Sequence, residues 1–241
     1  MTFNPKNYQI IDLELIEKKE QIKPEPIILI KNVCVIISAY DCAEYIEECL
    51  DSVQAQTYKN FRIILGIDGC KKTFKKVSEI KDKYNNLSIY YTKKNSGVYK
   101  MFNALVDFVD DNEYLQFFGA DDVMHPDMLE KMIKHEVAIS RHVGVLFIKK
   151  SEFIKAGGYR SWRCAADADM MLRLRVIRGR KEKVEMQHFF RRVHDKQLTT
   201  MKATGNGSKL RNKYHKITQE NYENENPVTY ITPIKTKLEK I

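Results

Sequence analysis

From residue 33 to residue 122, four short runs rich in β-branched and aromatic residues alternate with stretches of helical periodicity. This alternation constrains the fold more than any other feature of the chain. VCVIIS, residues 33–38, is a continuous apolar run of the kind that fits a strand buried on both faces. After the turn Ala39-Tyr40-Asp41, the apolar residues Ile46, Cys49, Leu50 and Val53 recur at i, i+3, i+4 and i+7, the stripe of an amphipathic helix. Asp41 with Glu44 three residues on predicts a capping-box start for that helix. FRIILGI, residues 61–67, predicts a second strand that ends at Asp68-Gly69, and residues 73–84 a helix with Val77, Ile80 and Tyr84 on one face. LSIYYT, residues 87–92, is a third strand and residues 98–109 a third helix. EYLQFFG, residues 113–119, is a fourth strand that stops before Asp121-Asp122. Strands alternating with helices of this length imply βαβ units, hence an α/β fold with a mostly parallel central sheet flanked by helices. Such sheets bind ligands outside the carboxyl ends of their strands. Three of the four strands run into an acid there: Asp41, Asp68, and Asp121-Asp122.

The rest of the chain divides around this core. Residues 1–31 are mixed and charged, with Pro24 and Pro26 just before the first strand, and read as an N-terminal extension, helical around residues 11–20. Residues 32–220 form the expected domain, split into halves at 32–122 and 123–220. Residues 221–241 are a polar tail with Pro227 and Pro233, read as a strand or extended arm. No apolar run reaches the roughly 18 residues that a membrane span needs. The first twenty residues have neither the basic nor the unbroken apolar region of a secretory signal. Five cysteines, an odd number with no CxxC pair, argue against a disulfide framework or a structural zinc site and fit a reducing compartment. The expectation is a cytoplasmic protein (host cytoplasm, if the source is viral), with peripheral attachment to a membrane as the alternative.

The net charge of +9 is local: residues 173–216 hold 14 Lys/Arg against 3 Asp/Glu, a net +11 that leaves the remainder slightly acidic. A block this concentrated suggests an anionic partner: a sugar diphosphate, nucleic acid or an anionic membrane.

Four segments, in order, resemble the inverting family 2 glycosyltransferases of the Rossmann-like GT-A fold. VCVIISAYDCAEYIEECLDSVQAQTYKNFRIILGIDG resembles the family's first strand, helix and second strand ending in Asp-Gly. NSGVYKMFNAL resembles its Asn-x-Gly segment, FFGADDVMHPDMLEKMI its metal-motif strand, and FIKKSEFIKAGGYRSWRCAADADMMLRLR its acceptor-side segment. FFRRVHDKQLTT is similar to its Arg-x-His segment. The match runs from about residue 31 to 200. The chain departs from the pattern at Gly119-Ala120-Asp121-Asp122, where many relatives have Asp-x-Asp-Asp; at Ile67, where an acid often precedes Asp68; and at Ala166-Asp167, commonly Glu-Asp.

The resemblance implies a nucleotide-sugar donor, UDP by family habit, with Ala39, Tyr40, Asp68, Asn103 and Asp121 on the nucleotide side. Tyr40 would flank the base, and Asp68 would accept from its polar edge. Asp121, Asp122 and His194 would hold Mn or Mg, since hard oxygen ligands select such cations and a cation offsets charge on a leaving diphosphate. Asp167 would be the general base that deprotonates the acceptor hydroxyl, and Asp169 a helix-start or orienting residue. Arg192 would face the diphosphate, and Trp162 would form an acceptor-site wall unless it belongs to the core. The acceptor is expected to be a glycan or a lipid-linked saccharide. The alternative is a hydroxymethylated DNA base, gripped through the 173–216 block with TGNGSKLRNKYHK as a flexible phosphate-binding loop and Trp162 and Tyr159 beside the extracted base. An inactive sugar-nucleotide-binding protein is the third reading, motivated by the thinned acidic motif.

Overall fold

A computed structural model describes residues 30–135, 137–139, 145–177, 189–224 and 236–241. The chain divides into Met1–Ile30 and Lys31–Ile241, and the second unit holds all the elements that follow. The extension with its helix at 11–20, the Arg178 to Lys183 part of the basic block, and Pro227 and Pro233 lie outside the described residues.

Four parallel strands form the centre: β1 (Val33–Ala39), β2 (Phe61–Asp68), β3 (Leu87–Thr92) and β4 (Tyr114–Gly119). They lie in the order β3-β2-β1-β4. Register is tight: Val35 sits beside Ile63 on one flank and Gln116 on the other. Antiparallel strands finish the sheet. β7 (Leu146–Lys149) pairs with β4, β6 (Val137–Ile139) pairs with β7, and β9 (Glu239–Lys240) caps the β3 edge. The mixed α/β architecture with its parallel centre is the one expected.

Helices cover both faces, which is why β1 is apolar without a break. Side chains alternate across a strand, so Val35, Ile37 and Ala39 join one core with α1 (Ile46–Gln54) and α2 (Lys71–Ile80). Cys34 and Ile36 join a second core with α3 (Val98–Leu105), α5 (Lys150–Lys155) and α6 (Ala166–Ile177). α3 lies so close to β2 that a Cβ on Gly66 would meet Met101 Sδ at 2.4 Å.

Boundaries differ from the expectations in physically simple ways. The Asp41/Glu44 capping box does not form: α1 begins at Ile46 after Tyr45, with no side-chain cap. Asp41 instead takes a left-handed φ of 48° in the turn. Residues 81–83 and 106–108 tighten into 3-10 turns, so the second and third helices end early. The first of two short strands, β5 (Val123–Met124), follows Asp122 directly; it pairs with β8 (Phe189–Phe190), and α4 (Met128–Met132) comes after it. Finally, much of the stretch read as a flexible loop is helix: Ser208 caps α7 (Lys209–Glu223) by accepting from the Arg211 N–H. That helix runs past residue 220 into what was read as tail.

Candidate active site

The carboxyl ends of β1, β2 and β4 open onto a cleft of about 770 Å³. Tyr40, Asp68, Asp121, Asp122, Asp167 and His194 all line it. Strand topology alone brings the first four together, because parallel strands end on one side of the sheet.

Asp68 is buried at the end of β2. Its Oδ1 accepts from the backbone N–H (2.7 Å) and hydroxyl (2.8 Å) of Ser96, and its Oδ2 from the Gly97 N–H at 2.7 Å. Three of about four acceptor sites on the carboxylate are therefore spent on shaping the loop before α3. Gly69, at φ 71°, follows where any Cβ would strike the Asn95 N–H from 2.4 Å. Tyr40 stands 55% exposed at the cleft mouth, while Ala39 is the wholly buried last residue of β1.

The acid pair sits on the turn between β4 and β5. The β5–β8 ribbon carries residues 191–197 against this turn. The Arg192 N–H donates to Asp122 Oδ1 at 2.9 Å. Asp121 Oδ2 is 3.0 Å from His194 Nε2 and accepts from Gln197 Nε2 at 3.0 Å. Burial, then the neighbouring charge of Asp121, push the Asp122 carboxyl up to about 7. These residues fit a divalent cation on three counts. Two carboxylates share one turn, their mutual repulsion is what a cation relieves, and a Cβ on Gly119 would point at both, 3.0 Å from Asp122 Oδ2 and 3.1 Å from Asp121 Oδ1. Among the described residues no three His, Cys, Asp or Glu side chains converge as a complete cage. That accords with ions bound through one or two carboxylates plus substrate phosphates.

Across the cleft, Ala165 adopts a left-handed φ of 61° and starts α6, with Asp167 in its first turn. The carboxylate accepts from the Ala168 N–H at 2.8 Å and from the Tyr99 hydroxyl. Burial holds its pKa above the usual carboxylate range; the two hydrogen bonds and the charge of Arg211 pull it back down.

The remaining expected residues serve other ends. Asn103 is buried, its amide donating to the Tyr159 carbonyl at 2.7 Å and accepting from the Tyr159 N–H at 2.9 Å. Asp169 is buried between two arginines, Arg160 Nε at 2.7 Å and Arg173 Nε at 2.8 Å. Trp162 stacks on Tyr214 of α7 at 4.4 Å, nearly parallel, with Arg160 over its ring. The Arg192 guanidinium turns to the Asp121 carbonyl, Glu48 and the Tyr45 ring, while its neighbour Arg191 lines the cleft. Among the described residues the basic block is not one continuous surface either. Arg173 and Arg211 point inward, and Lys196, Lys202, Lys209, Lys213 and Lys216 are its exposed lysines among the described residues.

Residues that the sequence reading missed include Tyr99, Gln197, Arg191 and Arg211 of the cleft, and Gln56 behind it. Gln56, fully buried, donates to the His125 carbonyl at 2.7 Å and accepts from the Leu129 N–H at 2.9 Å, pinning the chain after the acid turn. Spacing could have found Gln197, three residues past His194. Nothing local marks Arg211, which is one of several cations on a polar helix.

With the geometry in view, comparison with known proteins places the chain. The family described as "Glycosyl transferase family 2" matches residues 34–200. The chain belongs to that family. An uncharacterized glycosyltransferase of Rickettsia typhi is 35% identical over 101 residues, covering 42% of this chain and 30% of that protein. Glycosyltransferase GlyA of Streptococcus pneumoniae is 26% identical over 114 residues, covering 47% of this chain and 16% of that one. The chain thus spans less than a third of the length of these relatives. Among solved structures, a mannosyltransferase of Pyrobaculum calidifontis in complex with GDP-Man and Mn2+ superposes with a TM-score of 0.58 at 16% identity, over 64% of this chain and 54% of that one. S. aureus TarS 1–349 in complex with UDP-GlcNAc gives 0.58 at 14% identity, over 69% and 60%. These likenesses establish the GT-A fold. Among the described residues no helix is long and apolar enough to cross a membrane.

Proposed function

We propose that the protein transfers a sugar from a UDP-sugar, with metal assistance and inversion, to a hydroxyl of a glycan or lipid-linked saccharide. One observation carries the reading: a buried carboxylate, Asp167, shares a single cleft with the acid pair Asp121-Asp122 and the Asp68-anchored loop at the carboxyl ends of the parallel strands. The nucleoside lies toward Tyr40 and Asp68, whose fourth acceptor site is free for an imide N–H. Asp121, Asp122 and His194 would hold Mn or Mg, and Arg191, rather than Arg192, faces the diphosphate. A cation bound there offsets the charge that builds on the departing diphosphate. Asp167 takes the proton of the acceptor hydroxyl while the hydroxyl oxygen forms a bond to the anomeric carbon. The bond from that carbon to the phosphate oxygen breaks, and the electron pair leaves with the nucleoside diphosphate. Attack opposite the leaving group inverts the centre. Tyr99 donates to Asp167 and holds it toward the cleft.

The test is nucleoside diphosphate release from a panel of nucleotide sugars with Mn2+, each run with saccharide acceptors and with hydroxymethylated DNA, using Asp167→Asn as control. Saccharide-stimulated release that the variant loses supports the reading. Stimulation by DNA alone would move the acceptor to nucleic acid. Donor binding without release in any arm would indicate a sugar-nucleotide-binding protein instead.

A further inference from the structure

Arg211 belongs to no motif of the transfer site, yet it stands at the junction of three of that site's parts. It projects from the first turn of α7 and lines the cleft, only 8% exposed. Its Nε donates to the Thr204 carbonyl at 2.8 Å and its Nη2 to the Leu198 carbonyl at 3.1 Å. Those carbonyls close the turn that follows His194 and Gln197, the partners of Asp121. The turn is tight on its own account: Thr200 Oγ1 reaches the His194 carbonyl at 2.7 Å, and the Asn206 N–H reaches the Thr199 carbonyl at 3.0 Å. α7 in turn packs on α6, which carries Asp167, and the Trp162–Tyr214 stack ties α7 to the segment that leads into α6. Both partners of the guanidinium are neutral carbonyls, so its charge is not cancelled at contact. It acts on the groups around it: Asp167, Tyr99 and Cys164.

We propose that Arg211 is a positioning residue for the transfer, one side chain that fixes the cleft wall formed by residues 198–204 and, from the same seat, sets a permanent cation in the cleft that Asp167 lines. The inference rests on the reading of Asp167 as the base. A base must be ionised before the acceptor arrives, and burial opposes this. The groups that face Asp167 are Tyr99 from α3, Tyr159 and Cys164 from the segment before α6, and Arg211 from α7. Arg211 is the cation of that set. A guanidinium also keeps its charge at any working pH and spans two carbonyls with a rigid fork, which an ammonium cannot do.

The experiment titrates Asp167 directly, with no substrate. Protein labelled with 13C at the aspartate carboxyls is followed by NMR against pH, and the Asp167 resonance is assigned by its absence in Asp167→Asn. In Arg211→Gln the Asp167 midpoint should rise by about one pH unit, the low end of the range for losing a nearby opposite charge. In Arg211→Lys, which keeps the charge and loses the fork, the midpoint should stay near that of the parent while turnover falls several-fold. Arg211→Lys also serves if the Gln variant does not fold. A midpoint unmoved in Arg211→Gln, or raised in Arg211→Lys by a full unit, would overturn the proposal. Loss of that proposal leaves the base reading intact. The base reading fails separately, if Asp167→Asn retains turnover.

Discussion

Asp169→Asn separates a structural acid from the proposed base two residues away. Asp169 is 2% exposed, and each of its oxygens receives an arginine: Arg160 at 2.7 Å and Arg173 at 2.8 Å. Arg173 has no exposed surface, and its remaining nitrogens donate to the carbonyls of Ala156 and Gly158, so it cannot swing toward water when its partner goes. Removing one partner of a buried ion pair costs about 3–5 kcal/mol, because the other charge stays buried and uncompensated. Asn keeps the volume and one acceptor, which argues for the lower end, about 3 kcal/mol. In a chain of this size each kcal/mol moves the melting temperature by about 2–4 °C, so a drop of about 6–12 °C is expected. Thermal unfolding followed by far-UV circular dichroism measures it, with UDP binding by calorimetry as a check on the nucleotide side of the cleft, which the substitution should spare. A drop of under about 2 °C would refute the reasoning. So would a variant that melts like the parent and has lost transfer, since Asp169 would then act on the substrate.

Three further outcomes follow from the same structure. Gln56→Ala leaves the Leu129 N–H without its buried partner and takes from the His125 carbonyl one donor, the Met128 N–H remaining; at about 1–3 kcal/mol for an orphaned group it should lower the urea midpoint and weaken donor binding through the acid turn. Because burial raises the Asp167 carboxyl, the unfolded chain releases that proton first as pH rises, and native stability falls up to the folded-state value. Asp167→Asn should therefore melt higher than the parent at pH 7, and the gain should vanish below about pH 3.9, where both states hold the proton. UDP with Mn2+ at about 100 times its dissociation constant should stabilise the protein by about 2.7 kcal/mol. Chelation should reverse the metal's share of that gain, and Asp121→Asn should lack it, both read as melting shifts.

What the sequence determined by itself was the parallel core and the acids at its edge. Unbroken apolar runs such as 33–38 need helices on both faces, helical stripes at 46–53 and 73–84 supply one of them, and parallel strands of any kind end together. The positions of Asp68, Asp121 and Asp122 in one cleft followed from that logic. Asp167 came through resemblance, since no local periodicity points the first turn of α6 into a cleft formed by strands more than forty residues earlier. Tertiary structure alone decided which polar groups face the cleft and which hold it together. Asn103, Asp169 and Arg192 have the same chemistry as residues that bind ligands, but partners at Tyr159, Arg173 and Glu48 had already claimed them. Arg211 moved the other way, from an ordinary helix cation to a buried side chain lining the same cleft as the proposed base. The physical reason is range: strand and helix follow from periodicities within ten residues, while the pairing of a charged side chain is settled by whichever group the folded chain brings within 3 Å.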